Sequence, residues 1–159
     1  MNRTSQITLA LITVLLAMRT GCSKRDKVIG VAVDNPEMKA AISKARETLP
    51  QFWQIFDKRA RGERGFSLKV RIADTKGTEH IWATDIERRD GKLMGTINND
   101  PEIVASVKLG DRVEIHEADV TDWLYMREGK MVGNYTLKPL FKQMPPAEVE
   151  RLKKMMADP

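Results

Sequence analysis

The stretch FSLKVRIADTKGTEHIWATDI, residues 66–86, decides the fold of this chain. Across 66–73, apolar side chains alternate with polar ones, and a period of two is typical of a half-buried strand. Asp74 to Gly77 supply turn chemistry, and residues 79–87 alternate in the same way. The two segments therefore predict an antiparallel hairpin that buries one of its faces.

The segments that follow extend this hairpin into a sheet. Asp90-Gly91 is a second turn signal and predicts a third strand at 92–97, and the aromatic-rich segment 122–127 predicts another strand. Shorter pieces at 112–115 and 130–132 have the same character. Because the strands alternate instead of forming solid apolar runs, we expect an antiparallel sheet with a solvated face.

Helices are predicted before and after the sheet. Asn35 is a good helix cap, Pro36 suits the first helical position, and the apolar spacing predicts a helix over 36–48. Leu49-Pro50 predicts the end of that helix or a kink. Residues 145–159 predict a C-terminal helix that opens at two prolines. The expected fold class is α+β: a single small domain with a central antiparallel sheet, an N-terminal helix and C-terminal helices.

The N-terminal residues predict export rather than a part of the fold. Residues 1–21 contain no acidic residue, and the twelve-residue run from Ile7 to Met18 is apolar except for two threonines. As a helix this run spans about 18 Å, well short of the roughly 30 Å of hydrocarbon in a bilayer. We therefore predict a signal peptide at 1–21, with a buried N-terminal helix as the alternative.

Cys22, the single cysteine, closely follows the apolar run. The sequence Arg-Thr-Gly-Cys at 19–22 resembles the lipobox of bacterial lipoproteins, although Arg19 stands where that motif usually has an aliphatic residue. The resemblance implies that the Cys22 thiol carries diacylglycerol and that the new N-terminus is acylated, with palmitate among the expected chains. Two or three acyl chains anchor a protein stably. A chance free cysteine is the alternative.

These assignments divide the chain and give it an expected location. We expect a signal peptide at 1–21, a lipid-anchored tether at 22–34, a globular α+β domain at 35–144 and a C-terminal helix at 145–159. Ser23 resembles the lipoprotein class that is sorted to the outer membrane. The expected location is the bacterial cell envelope, on the periplasmic face of the outer membrane.

Several short stretches carry a resemblance to a known family when they are taken together in this order: LPQFW (49–53), EHIW (79–82), GTINN (95–99), LGDRV (109–113), DWLY (122–125) and GNYTL (133–137). From about Asn35 to Met144 the chain resembles an uncharacterised bacterial family, domain of unknown function 2314, which includes YegJ-like lipoproteins. The resemblance implies a small α+β domain. It implies no reaction, substrate or cofactor.

Composition and missing motifs exclude several function classes. The 159 residues include one cysteine and two histidines, which rules out an intrachain disulfide and a Cys/His zinc site within one chain. The chain contains no nucleotide-binding glycine pattern, no Walker loop and no G-x-S-x-G or H-E-x-x-H motif. There is no block of five like charges, and an exported protein rarely meets nucleic acid, so we expect no nucleic-acid partner. We predict no cofactor and no resident metal, and the lack of a catalytic motif favours a protein without enzymatic activity.

Two histidines are the candidates for acid–base chemistry or metal binding. His80 follows Glu79, but adjacent strand residues point to opposite faces, which favours a packed histidine. His116 precedes three acidic residues on a connecting loop: Glu117, Asp119 and Asp122. This grouping suits a metal site, and the simpler interpretation is that these side chains are solvated charges. Neither catalysis nor metal binding is favoured over a structural role.

Aromatic and amide side chains form the richest candidate binding surface. Aromatic rings with polar tips, beside amides and a carboxylate, suit a groove for a glycan or a peptide; the residues are Asp122, Trp123, Tyr125, Tyr135, Thr136, Asn98 and Asn99. Packing in the core is the alternative for the same residues. The sequence therefore favours an envelope-anchored binding or interaction module with an envelope protein, peptide or glycan partner. The alternative is an envelope hydrolase that uses His80 or His116 with a nearby carboxylate.

Overall fold

The structure, a computed structural model, describes residues 35–157. Cys22, the predicted signal peptide 1–21 and the predicted tether 22–34 lie outside the described residues, as do residues 158 and 159. In chain order the elements are α1 (Pro36–Lys58), β1 (Glu63–Asp74), β2 (Gly77–Arg89), β3 (Lys92–Ile97), β4 (Arg112–Glu114), a 3₁₀ turn (Glu117–Asp119), β5 (Val120–Arg127), β6 (Lys130–Gly133), a 3₁₀ helix (Tyr135–Gln143) and α2 (Pro146–Met155).

The six strands form one sheet in the order β4-β3-β2-β1-β5-β6, and each neighbouring pair is antiparallel. β1 therefore lies near the centre, with β2 on one side and β5 on the other. The predicted hairpin is present, with Leu68 opposite Ala83 and Asp74 opposite Gly77. The α+β class, with a single small domain and a central antiparallel sheet, is confirmed.

Helix α1 begins where the sequence predicts and continues past the predicted end. Asn35 caps it by accepting from the backbone amides of Glu37 and Met38 at 2.8 and 3.4 Å. The helix does not stop at Leu49 but includes Pro50 and ends at Lys58. The prediction of an end near residue 48 is wrong because the second half of α1 buries a row of aromatic side chains against the sheet: Phe52, Trp53 and Phe56.

The helices cover both faces of the sheet. On one face the buried side of α1 packs on β1, β2 and β5 and builds the main core, which contains Phe52, Leu68 and Trp123. On the other face the 3₁₀ helix and α2 cover β5 and β6 through a second cluster around Met131, Leu137 and Leu152. Within 35–157 no helix combines the length and the apolar character needed to cross a membrane.

An irregularity in the β1–β5 pairing positions the site described below. Lys69 pairs with Asp122 whereas Val70 pairs with Val120, so that Thr121 is an extra residue on β5. The Thr121 hydroxyl donates to the backbone carbonyl of Lys69 at 3.2 Å. The β5 pairing goes no further than Val70, which leaves the end of β1 open on that side.

Candidate functional site

The structure brings most of the sequence-predicted surface together, but in the interior. Asp122 is 0% exposed and Trp123 is 2% exposed. Three further members of the predicted surface are also buried next to them: Tyr125, Tyr135 and Thr136. Asn98 and Asn99 follow β3 and are separate from this group, and the Asn99 side-chain oxygen accepts from the backbone amide of Trp82 at 2.9 Å.

Asp122 holds the start of the 3₁₀ helix. One carboxylate oxygen accepts from the backbone amides of Trp123 and Tyr135, and the other accepts from the amide and the hydroxyl of Thr136 at 2.8 and 2.7 Å. The Thr136 hydroxyl oxygen in turn accepts from Lys69 Nζ at 2.8 Å. Burial raises the pKa of Asp122 and lowers that of Lys69, and the charge of each residue opposes the shift of the other.

Trp123 is a packing residue with a satisfied polar atom. Its indole N–H donates to the carbonyl of Ala45 in α1 at 2.9 Å, and its ring contacts those of Phe52 and Tyr135. Gly133 lies against it with φ of 85°, and a Cβ there would sit 2.3 Å from the Trp123 carbonyl oxygen. The stretches 122–125 and 133–137 therefore stabilise the fold through packing and hydrogen bonds. Ligand contact by these residues stays a prediction.

The two histidines do not form the pairs that the hydrolase hypothesis requires. His80 Nδ1 lies 2.9 Å from the hydroxyl oxygen of Thr121, not beside a carboxylate. Glu79 points elsewhere and accepts from backbone amides of the loop after β3, among them that of Ile103 at 2.9 Å. His116 is exposed. Neither histidine bonds a carboxylate within the described residues, and the hydrolase stays an untested prediction.

The loop residues considered for metal binding are also dispersed. Asp119 bonds Arg71 at 2.8 Å, and Asp122 is turned into the interior toward the 3₁₀ helix. In the part of the chain that the structure describes, no three His, Cys, Asp or Glu side chains are arranged to hold a metal ion.

A different group of residues converges on an open cavity. The cavity has a volume of 330 Å³ and lies where the first half of α1 approaches the ends of β1, β2 and β5. Three of its lining residues are basic and none is acidic; the lining consists of Lys39, Ile42, Ser43, Arg46, Arg71, His80 and Thr121. We refer to it as the cationic cavity.

Two arginines of the cationic cavity are held in place by other parts of the fold. Arg46 donates from Nε to the carbonyl of Val120 at 3.0 Å and from Nη2 to the carbonyl of Ala118 at 3.2 Å. Arg71 bonds the carboxylate of Asp119 through Nη2 at 2.8 Å. The guanidinium groups are thus oriented, and each has further N–H donors in addition to those used in these bonds.

His80 is the titratable group of the cationic cavity. Burial lowers the pKa of His80 below its ordinary value of 6.5, and the charges of Lys69, Arg71 and Arg46 lower it further. The imidazole is therefore neutral at neutral pH. Its Nε2 is enclosed and has no hydrogen-bond partner among the described residues.

Sequence reasoning identified only one residue of this cavity. His80 stood out as a rare residue type, and the period-two pattern places it with Arg71 on one face once the two strands are paired. Arg46 and Thr121 carried no local signal, because α1 reaches Thr121 only through tertiary packing and Thr121 reaches His80 only through the irregular pairing of β5.

Similarity to known proteins covers all of the described residues. The family model described as "Uncharacterized protein conserved in bacteria (DUF2314)" matches residues 35–157. The uncharacterized protein YegJ of Escherichia coli strain K12 is 33% identical over 146 residues, which is 91% of this chain and 94% of that protein. A putative ankyrin repeat protein of Neisseria meningitidis serogroup B is 28% identical over 120 residues, which is 70% of this chain and 47% of that protein. No solved structure matches the chain.

Proposed function

The chain belongs to the bacterial family DUF2314, and we propose that it is a binding module that holds an anionic ligand in the cationic cavity. The observation that carries the proposal is the convergence of Lys39, Arg46 and Arg71 on one cavity whose lining contains no acidic residue. Asp119 does not line the cavity, but its carboxylate pairs with Arg71, so a ligand bound by Arg71 shares the guanidinium group with Asp119. Positive side chains that line a concave surface attract anions and orient them.

The location proposed for this module is the bacterial cell envelope. Cys22 anchors the chain by its lipid after removal of residues 1–21, and Ser23 directs it to the periplasmic face of the outer membrane. The support is the apolar run before Cys22 and the lipobox-like sequence at 19–22. The partner is an envelope molecule that presents an anionic group to the cavity.

The proposal is tested by titrating the purified full chain with sodium phosphate and with sodium sulfate in a calorimeter at constant ionic strength. We expect saturable binding of at least one anion with one site per chain. Arg71→Gln is expected to weaken that binding by about tenfold or more, because it removes a charged hydrogen-bond donor.

Arg112→Gln is the matched control for Arg71→Gln. Both arginines are roughly half exposed and bond a carboxylate, Asp119 or Glu87, and Arg112 does not line the cationic cavity. The control is expected to leave the affinity within about twofold. Absence of saturable binding by either anion, or equal losses in the two variants, would contradict the proposal.

A further inference from the structure

We infer that the chain carries a site of oxidative modification beneath α2, where conversion of methionine thioethers to sulfoxides releases α2 from the sheet. The site is a group of four methionines in the second apolar cluster, which we call the methionine cluster: Met126, Met131, Met144 and Met156. Four of the nine methionines of the chain are thus concentrated where the last helix meets the sheet. The inference does not depend on the proposed function, because none of these residues lines the cationic cavity.

The methionine cluster connects both ends of α2 to the sheet. Met144 lies just before α2, and Met156 directly follows it. Met131 of β6 forms a bridge with Met156, and its carbonyl accepts from the backbone amide of Ala157 at 2.8 Å. Met126 of β5 lies directly opposite Met131, so their side chains are neighbours on one face of the sheet. Release of these side chains therefore frees α2 from β5 and β6 at both of its ends.

Three of the four side chains retain contact with solvent. Met126, Met144 and Met156 are half-buried, whereas Met131 is 7% exposed. The sulfur of Met131 also accepts from Asn134 Nδ2 at 3.3 Å. Because an oxidant must reach the sulfur, the three half-buried methionines are the expected targets.

The oxidant is a peroxide, and hydrogen peroxide suffices for the reaction. A lone pair of the thioether sulfur forms an S–O bond to one peroxide oxygen while the O–O bond breaks. The other oxygen keeps its hydrogen, takes up the second one and leaves as water. The sulfur is oxidised and the peroxide reduced by the same electron pair. The product is methionine sulfoxide, which methionine sulfoxide reductases convert back to the thioether.

The sulfoxide oxygen is an acceptor that suits water better than this cluster. The other side chains of the cluster are apolar and offer it no hydrogen: Leu124, Leu137, Leu140, Phe141 and Leu152. An enclosed acceptor without a partner is unfavourable, so oxidation favours the released state, in which water donates to the sulfoxide. Two ion pairs of α2 join residues of the helix itself and do not oppose its release: Arg151 with Glu148, and Lys153 with Glu150.

The test treats the purified full chain with hydrogen peroxide until Met94 is oxidised. Met94 is the internal reference, because it is half-buried on β3 and does not belong to the methionine cluster. Peptide mass spectrometry locates the added oxygen atoms, and hydrogen–deuterium exchange follows the backbone amides. We expect oxygen on Met126, Met144 or Met156, and exchange about tenfold or more faster at the amides of α2 and Ala157. The amides of the β1–β2 hairpin should be unchanged, and methionine sulfoxide reductases should restore slow exchange.

A variant that cannot be oxidised at the three targets completes the test. Met126→Leu, Met144→Leu and Met156→Leu are combined, because leucine conserves the volume and has no sulfur. Exchange at α2 should then be equally slow before and after peroxide, although Met94 is oxidised as before. Three results would each overturn the inference: oxidation of Met94 alone, oxidation of the targets without faster exchange in the unmodified chain, or an equal acceleration in the leucine variant. The first two are read from the unmodified chain and do not depend on how well the variant folds.

Discussion

At the scale of single residues, Asp122 is a buried carboxylate that accepts hydrogen bonds from three backbone amides. It is fully buried and accepts from the amides of Tyr135 and Thr136, while Lys69 is linked to it through the Thr136 hydroxyl. Asp122→Ala leaves these donors without a partner in the interior. We expect the free energy of unfolding, measured with urea, to fall by about 3–5 kcal/mol.

Asp57→Ala is the control for this change. Asp57 is 63% exposed and lies 3.7 Å from Arg88, an ion pair of the kind that contributes little at a surface. Its loss should change the free energy of unfolding by no more than about 0.5 kcal/mol. If Asp122→Ala lowers the free energy of unfolding as little as Asp57→Ala does but abolishes anion or partner capture, Asp122 belongs to a binding surface, as the sequence suggested. Such a result would contradict its role in stabilising the fold.

His80 should make stability depend on pH in a defined window. Its pKa in the folded state is lowered from 6.5, so the unfolded chain takes up a proton first as the pH falls through 6.5. We therefore expect the free energy of unfolding to decrease below about pH 6.5 and to be unaffected by this group above it. The difference between the unmodified chain and His80→Gln, measured by urea unfolding from about pH 5 to pH 8, isolates this contribution. A difference that does not vary with pH would contradict it.

At the scale of elements, helix α1 continues through a proline because packing against the sheet outweighs the cost of that residue to the helix. Pro50 lacks an N–H and cannot bond the carbonyl one turn earlier, a loss that costs a helix interior up to about 3 kcal/mol. Pro50 is exposed, so Pro50→Ala removes no core contact. We expect the free energy of unfolding to rise by about 1–3 kcal/mol, measured with urea. A loss of stability would show that the proline sets a helix geometry that the aromatic row needs.

The elements also show what the sequence predicts and what it does not. The strands of the β1–β2 hairpin were predictable because alternation and turn residues are local signals, and so was the start of α1 at Asn35. The end of α1 was not, because burial of Phe52 and its aromatic neighbours decides it. The predicted aromatic surface and the cationic cavity both depend on which faces meet in the fold, and a single sequence leaves that open.

At the scale of the whole molecule, Cys22 connects the folded domain to the envelope in the proposed function. Cys22→Ser removes the thiol that would carry diacylglycerol, so the protein should move from the membrane fraction to the soluble fraction, or remain unprocessed. Fractionation with metabolic labelling by a fatty-acid analogue measures this. Equal membrane association and equal absence of label in both forms would contradict lipidation.

The central claim, that the described domain binds an anion in one cavity, is tested most directly by mapping phosphate onto the folded chain. Backbone amide shifts of the ¹⁵N-labelled full chain are followed during a phosphate titration at constant ionic strength. The account predicts saturating shifts at the residues of the cationic cavity, around 39–46, Arg71, His80 and Thr121, with none at the equally basic far end around Arg88 to Lys92. Shifts that spread over both ends without saturation, or none at the cavity, would contradict it.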